Sequence, residues 1–438
     1  MPGSRTSSGF LCRWHLLTGQ TTVAVMLSGI WFYIEKTKTL LEVSLQGMIK
    51  LIKSTFYKEN ETKRTLTKFI NKTEWLSFGP ECRKFEDNFA AYQGRKYCVF
   101  FNSGSSANLA LIQALLNLQQ IQKQDKVGFS ALTWSTNVMP LIQLGLGLVP
   151  IDVELETLNM SSNKLNQTLK KHRLKAVFVT NLLGFCDDID QIKKLCDKKG
   201  IILIEDNCEA LGTIYKNKKL GNFGLASTFS FFVGHHMSTI EGGAVCTDNS
   251  RLANMLRLVR AHGWDRNLDH NDQEKLRREH EINEFYARYT FYDLSYNLRP
   301  TEIHAVIGNI QLKYLNKMLD KRNKNFIKVA GVIYKNTAKY YSIKFDHMDF
   351  HSNFAIPIIC RSVKIRDELL KKCEGKIEVR PIVGGDITQQ PFFKKYLPHH
   401  IKNFKNTNAD LVHRQGLYIG NNPQLTQKEI KEIIKVLD

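Results

Sequence analysis

From residue 96 onward the chain alternates short apolar runs with stretches of helical periodicity, the pattern of successive strand–helix units built around a mainly parallel sheet. Tyr97 to Phe101, Lys126 to Phe129, Leu148 to Ile151, Ala176 to Thr180 and Ile201 to Ile204 are nearly continuous in apolar residues, as strands covered on both faces must be. Thr228 to Phe232 and Gly243 to Thr247 read as two more strands flanking a loop, and helical pattern resumes at Ser250. Asp269 to Glu284 is too polar to pack and reads as a surface insertion. After Pro300 a helical stretch through Lys324 leads into a smaller α+β part, where Phe354 to Ile359 and Ile377 to Val379 read as strands. The expected division is an extension over 1–47, a large α/β domain over 48–310 and a small C-terminal domain over 311–438.

Composition narrows the function classes. At 43% hydrophobic and 24% charged, the 438 residues are those of a globular protein. The net charge of +20 comes from lysines spread along the chain without aromatic-interleaved basic patches, which argues against nucleic acid and for an anionic small substrate. Nine cysteines without a Cys-x-x-Cys pair provide neither a zinc ribbon nor a disulfide framework, and fit a reducing cytoplasm. Leu16 to Ile34 carries no charge and follows Arg5 and Arg13, so a membrane anchor is one reading of the extension; the other is an upstream stretch before a start at Met48.

The strand ends carry the candidate chemistry. They deliver Asn102, Thr133, Asn181 and Asp206 to the edge where open α/β sheets bind ligands. Ser103-Gly104-Ser105 lies between a strand and a helix beginning near Ser105, where backbone N–H groups can hold a phosphate; alone it is a turn with a helix cap. Asp206 ends an apolar strand, where an ionised carboxylate needs a partner such as a protonated pyridine nitrogen, and a plain helix cap is the competing reading. Glu209, three positions on, is either part of the site or a capping-box glutamate. Trp134 is either a ring-stacking residue or an ordinary core aromatic.

Taken in order, Asn102 to Asn108, Thr133-Trp134-Ser135, Ile204-Glu205-Asp206-Asn207-Cys208-Glu209-Ala210 and Tyr296-Asn297-Leu298-Arg299-Pro300-Thr301-Glu302 resemble the nucleotide-sugar aminotransferases of the DegT type, a branch of the fold type I pyridoxal-phosphate enzymes. The resemblance runs from about Trp75 to the C-terminus. It implies pyridoxal 5′-phosphate or its pyridoxamine form as cofactor, with Gly104, Ser105 and Ser230 at the phosphate, Trp134 on the ring, Asp206 at the ring nitrogen and Glu209 facing the phenolic oxygen. Asn297 then reaches the phosphate of a second subunit, making a homodimer part of the site.

Where the family carries its cofactor-anchoring lysine, the run Ser230-Phe231-Phe232-Val233-Gly234-His235-His236 has His235. Imidazole cannot bind the cofactor aldehyde as an amine does, yet it carries protons near neutral pH. With the following Glu241-Gly242-Gly243, this resembles the 3-dehydratase subgroup, of the GDP-4-keto-6-deoxymannose type. The implied reaction removes the C3 hydroxyl of a nucleotide-linked 4-keto-6-deoxyhexose for deoxysugar and surface polysaccharide synthesis. Glutamate is the amino donor, His235 the base, and ammonia leaves. The related CDP-linked dehydrase holds an iron–sulfur cluster after the histidine, whereas no cysteine occurs here between Cys246 and Cys360, so no such cluster and no other metal is expected. His262 and Arg380 are the candidate substrate contacts, Arg380 with a surface salt bridge as the competing reading. An ordinary sugar aminotransferase and a catalytically silent cofactor-binding homologue are the alternatives, and a structural histidine is the bland reading of His235.

Overall fold

The computed structural model describes residues 47–397, 404 and 406–438. The extension read as a possible anchor, up to Gln46, lies outside the described residues, and none of the described helices is long and apolar enough to cross a membrane.

Seven strands make the main sheet: β1 (Tyr97–Phe101), β2 (Lys126–Ser130), β3 (Gly147–Ile151), β4 (Ala176–Thr180), β5 (Ile202–Asp206), β6 (Ala226–Ser230) and β7 (Gly243–Thr247). Their order is β1-β7-β6-β5-β4-β2-β3, and β7 alone runs against its neighbours. A mainly parallel sheet is therefore what the alternating pattern encodes. The strand at Ala226 begins two residues before its expected start, because Ser227 and Thr228 are wholly buried within it and break the apolar signal.

Helices cover the sheet. One side is closed by α1 (Pro80–Gln93), whose Phe85 and Phe89 pack tilted or edge-on against Phe100, Phe229 and Phe231. The carboxylate of Glu302, more than two hundred residues away, accepts the N–H groups of Gly79, Glu81 and Cys82 and so caps that helix. Helix α2 (Gly104–Asn117) follows β1 directly, and α3 (Ser250–Arg260) follows β7. The polar stretch forms α4 (His270–Glu279), none of whose residues is buried, in keeping with a surface insertion. The expected helix after Pro300 is two: α5 (Glu302–Leu312) and α6 (Leu315–Ile333), parted at Lys313 and Tyr314.

A second sheet holds β8 (Tyr340–Tyr341), β9 (Ala355–Cys360), β10 (Val379–Pro381) and β11 (Gly416–Gly420), all antiparallel, in the order β8-β9-β11-β10. Ile377, expected in a strand with Val379, instead bridges Ile49 just ahead of β10. One continuous apolar cluster joins the two sheets, running from Val177, Val179 and Leu203 through Phe326 and Val329 to Ile356, Ile358 and Ile419. The consequence for function is geometric: residues 351–354 are buried against the loops at the C-terminal edge of the main sheet.

Candidate active site

At the C-terminal edge the turn after β1 and the end of β6 meet. Ser103 is extended and caps α2 by accepting the N–H of Ser106. The helix thus opens at Gly104, one residue before the expected start. A Cβ on Gly104 would lie 2.7 Å from the Ser230 Cβ, 3.1 Å from the Cys208 Sγ and 3.2 Å from the Ser230 Oγ. The glycine is therefore required by close approach rather than by an unusual φ. Ser105 is exposed in the first turn of α2, while Ser230 is buried with its Oγ accepting the Phe232 N–H at 3.3 Å. The free N–H groups of a helix start and two serines form an anion cradle.

Asp206, at the end of β5, is only 4% exposed. Its Oδ2 accepts from the side-chain amides of Asn108 at 3.0 Å and Asn137 at 2.7 Å, and its Oδ1 from the Cys208 N–H at 2.8 Å. No helix follows, so the helix-cap reading fails and the turn is one that the aspartate closes on itself. A carboxylate buried with three neutral donors and no ion-pair partner among the described residues fits a cationic ring N–H. Asn108 and Asn137 are functional positions that the sequence reading did not assign.

Glu209 is no capping-box residue either. Its carboxylate is buried and accepts the Leu183 N–H at 2.9 Å. Burial, reinforced by the Asp206 charge and opposed by that N–H, pushes it from 4.5 to about 8, so it holds a proton at neutral pH. Leu183 itself has φ 52°, and its carbonyl accepts from the Asn353 amide, so the peptide groups on both sides of a strained residue are tied down. Positive φ recurs around the site at Ile240, His262 and Val383.

The two histidines separate clearly. His236 is buried and its Nε2 bonds the Ser352 carbonyl at 3.1 Å, a structural contact. His235 is half-buried, with its ring 5.2 Å from that of Phe354 and 5.8 Å from that of Phe232. Its Nδ1 has no hydrogen-bond partner among the described residues. Burial lowers it from 6.5 to about 4; Asp206 and the nearby Ser230 carbonyl oppose this, and the Arg322 charge adds to it. The imidazole is therefore neutral at rest, as a base must be.

Trp134 stands just after β2, 51% exposed, so it is not a core aromatic. Thr133 beside it shares a hydroxyl contact of 2.6 Å with Thr180. Asn297 is exposed and accepts from the Arg299 Nε, while its backbone bridges Ala261. The adjoining Leu298 carbonyl accepts the Asn102 N–H at 3.0 Å, placing this segment beside the cradle's own strand end. His262 packs on Trp264 at 4.7 Å, with Arg266 and Arg299 over the same indole. Arg380 lies on β10 in an exposed ion pair with Glu378 at 2.6 Å, opposite Tyr418 in register. That pair realises the salt-bridge reading and leaves more than half of the arginine side chain open to solvent.

Sequence reasoning also missed Arg322, buried on α6 and donating to the His235 carbonyl. An arginine on the apolar stripe Met318, Leu319, Phe326, Val329 and Ile333 was the available signal. Among the described residues no group of three or more His, Cys, Asp or Glu has a metal-binding arrangement.

The DegT/DnrJ/EryC1/StrS aminotransferase family profile matches residues 57–438. Over 370 residues the chain is 35% identical to GDP-4-keto-6-deoxy-D-mannose 3-dehydratase of Yersinia pseudotuberculosis, covering 83% of this chain and 92% of that protein. It is 34% identical to the protein of the same name from Escherichia coli O55:H7 over 379 residues, covering 83% and 94%. A crystal structure of a GDP-4-keto-6-deoxymannose-3-dehydratase variant with bound GDP-perosamine superposes with TM-score 0.80 at 31% identity, covering 89% of this chain and all of that one. The E. coli enzyme with bound hydrated PLP gives TM-score 0.79 at the same identity and coverage. These matches and the fold place the chain in the DegT/DnrJ/EryC1/StrS aminotransferase family, with the fold type I architecture of its pyridoxal-phosphate enzymes.

Proposed function

We propose that the chain is a sugar 3-dehydratase: with pyridoxal or pyridoxamine 5′-phosphate and glutamate, it removes the C3 hydroxyl of a nucleotide-linked 4-keto-6-deoxyhexose, as the names of its relatives describe for GDP-4-keto-6-deoxymannose. The observation that carries this is His235, standing in a loop between β6 and β7 that has no lysine at all. The residues fit the cofactor: a cradle too tight for a Cβ at Gly104, serines at 105 and 230, a buried carboxylate at 206 and an open indole at 134. When bound, the cofactor supplies an electron sink for a carbanion beside its ring.

The chain's own groups divide the remaining work. Gly104, Ser105 and Ser230 hold the phosphate, which matters more where no lysine fixes the ring covalently. Asp206 would keep the ring nitrogen protonated, and Trp134 would stack on the ring. Neutral Glu209 would donate a hydrogen bond to the phenolic oxygen, a role its raised pKa permits. An imidazole nitrogen of His235 would take the proton at C4′, and the cofactor would supply the electron sink through which the C3 hydroxyl leaves the sugar as hydroxide. Glutamate and the 4-keto sugar would thereby give 2-oxoglutarate, ammonia and the 3-deoxy-4-keto sugar, the expelled hydroxide matching the water used in release. His262 and Arg380 face the nucleotide sugar. Asn297 completes the phosphate site of a second subunit, and the exposed aromatics Phe285, Tyr286, Tyr289 and Phe291 just upstream offer the apolar patch that a homodimer contact would cover. The cytoplasm, where nucleotide sugars and the cofactor are made, is the proposed location.

His235→Asn tests the reading. Cofactor binding by absorbance should persist, while deoxygenated product falls by about 10² or more, as for loss of a general base. Retained deoxygenation would remove His235 from the mechanism, and a product that keeps its nitrogen without ammonia release would mark an aminotransferase instead.

A further inference from the structure

Arg322 is a buried cation with no carboxylate partner among the described residues. It sits on α6 at 5% exposure, and its guanidinium donates only to backbone carbonyls: Nη1 to Asn421, with Phe354 at the 3.5 Å limit, and Nη2 to His235 at 3.1 Å. Its Nε has no partner among the described residues. Such an arrangement costs desolvation that no opposite charge offsets, so packing alone does not account for it. Burial lowers Arg322 to about 9, which leaves it charged at neutral pH.

The carbonyls come from three separate segments. Asn421 follows β11, Phe354 precedes β9, and His235 is the tip of the loop between β6 and β7. That tip is a turn, with the His235 N–H on the Phe232 carbonyl at 2.9 Å, and the loop returns through Ile240 at φ 73°. Nothing else bonds the His235 carbonyl among the described residues.

Resting on the assignment of His235 as the base, we infer that Arg322 is its positioning residue: the guanidinium clamps the loop backbone to the small sheet and sets a positive charge beside the imidazole. The groups facing His235 are few. Asp206 at the end of β5 favours the imidazolium, while Arg322 disfavours it; burial keeps the neighbouring His236 uncharged, and the small sheet offers the uncharged ring of Phe354. Without Arg322, the Asp206 charge would act on the imidazole unopposed by a cation.

The test uses the full-length protein with ¹³C-labelled histidine, the His235 signal being the one lost in His235→Asn. In Arg322→Met the His235 titration should move up by about half a pH unit or more, and the acid limb of kcat should move with it. Arg322→Lys retains the charge but not the fork: the titration should stay in place while kcat falls about tenfold at unchanged sugar KM. A purely structural arginine would lower thermal stability in both variants yet leave the titration, the acid limb and kcat per folded molecule unmoved, which overturns the inference. If Arg322→Met does not fold, unchanged kcat in Arg322→Lys overturns it alone. Because the titration is read without turnover, a failed base assignment, shown by an active His235→Asn, remains distinct from a failed clamp.

Discussion

Replacing Glu209 by Gln should stabilise the cofactor-free protein, and increasingly so as pH rises. The carboxyl is moved from 4.5 to about 8 by burial first and by the Asp206 charge. Between those values the unfolded chain has released its proton and the folded chain has not, so stability falls as pH rises from 4.5 through about 8 and is flat beyond. At 1.36 kcal/mol for each pH unit, the full cost of the charge in the folded state is on the order of 5 kcal/mol. Water entering the open site reduces this, and an effect of about 2 kcal/mol or more is expected. Glutamine keeps an oxygen for the Leu183 N–H, so the strained peptide retains its partner. Urea denaturation at pH 5.5 and 8.5 measures both proteins, and the gap between their free energies should widen in favour of the variant at the higher pH. Parallel pH profiles would show that Glu209 ionises normally and cannot act as a neutral donor. A variant less stable at both pH values by the same amount would lead to the same conclusion.

Gly104→Ala should weaken pyridoxal-phosphate binding by about 5- to 150-fold, the equivalent of an overpacking cost of about 1–3 kcal/mol against Ser230, and fluorescence titration checks it; unchanged affinity would show that the cradle is not at Gly104. Asp206→Leu should leave the Asn137 amide unbonded and the Asn108 amide with only a long bond to Thr136, and abolish cofactor binding, with the apo protein less stable by about 1–3 kcal/mol in the same denaturation assay. Borohydride treatment of the holoprotein followed by intact-mass measurement should add no pyridoxyl group, since His235 offers no amine, and an adduct on an active-site lysine would contradict the site.

How much of this the sequence disclosed depends on whether the signal is local. β1, β4 and β7 are readable end to end because strands buried on both faces admit almost nothing polar, whereas Ser227 and Thr228 hide the start of β6 for the same reason. Asp206 and Gly104 are legible as strand-end residues, and the spacing from Ser230 to His235 is carried by one short loop. What decided between the competing readings was distant in sequence. Glu209 reads as a helix cap until Leu183, twenty-six residues away, supplies the N–H, and the strain at Leu183 is held by Asn353 from the other sheet. His235 and His236 are identical letters in adjacent positions; only Ser352 and Arg322, which bond one by its ring and the other by its carbonyl, assign them different work. These contacts are made largely to backbone atoms, which every residue type provides, so no pattern of side chains along the chain can announce them. An arginine within an apolar helical stripe is the exception, because its cost is visible even when its partner is not.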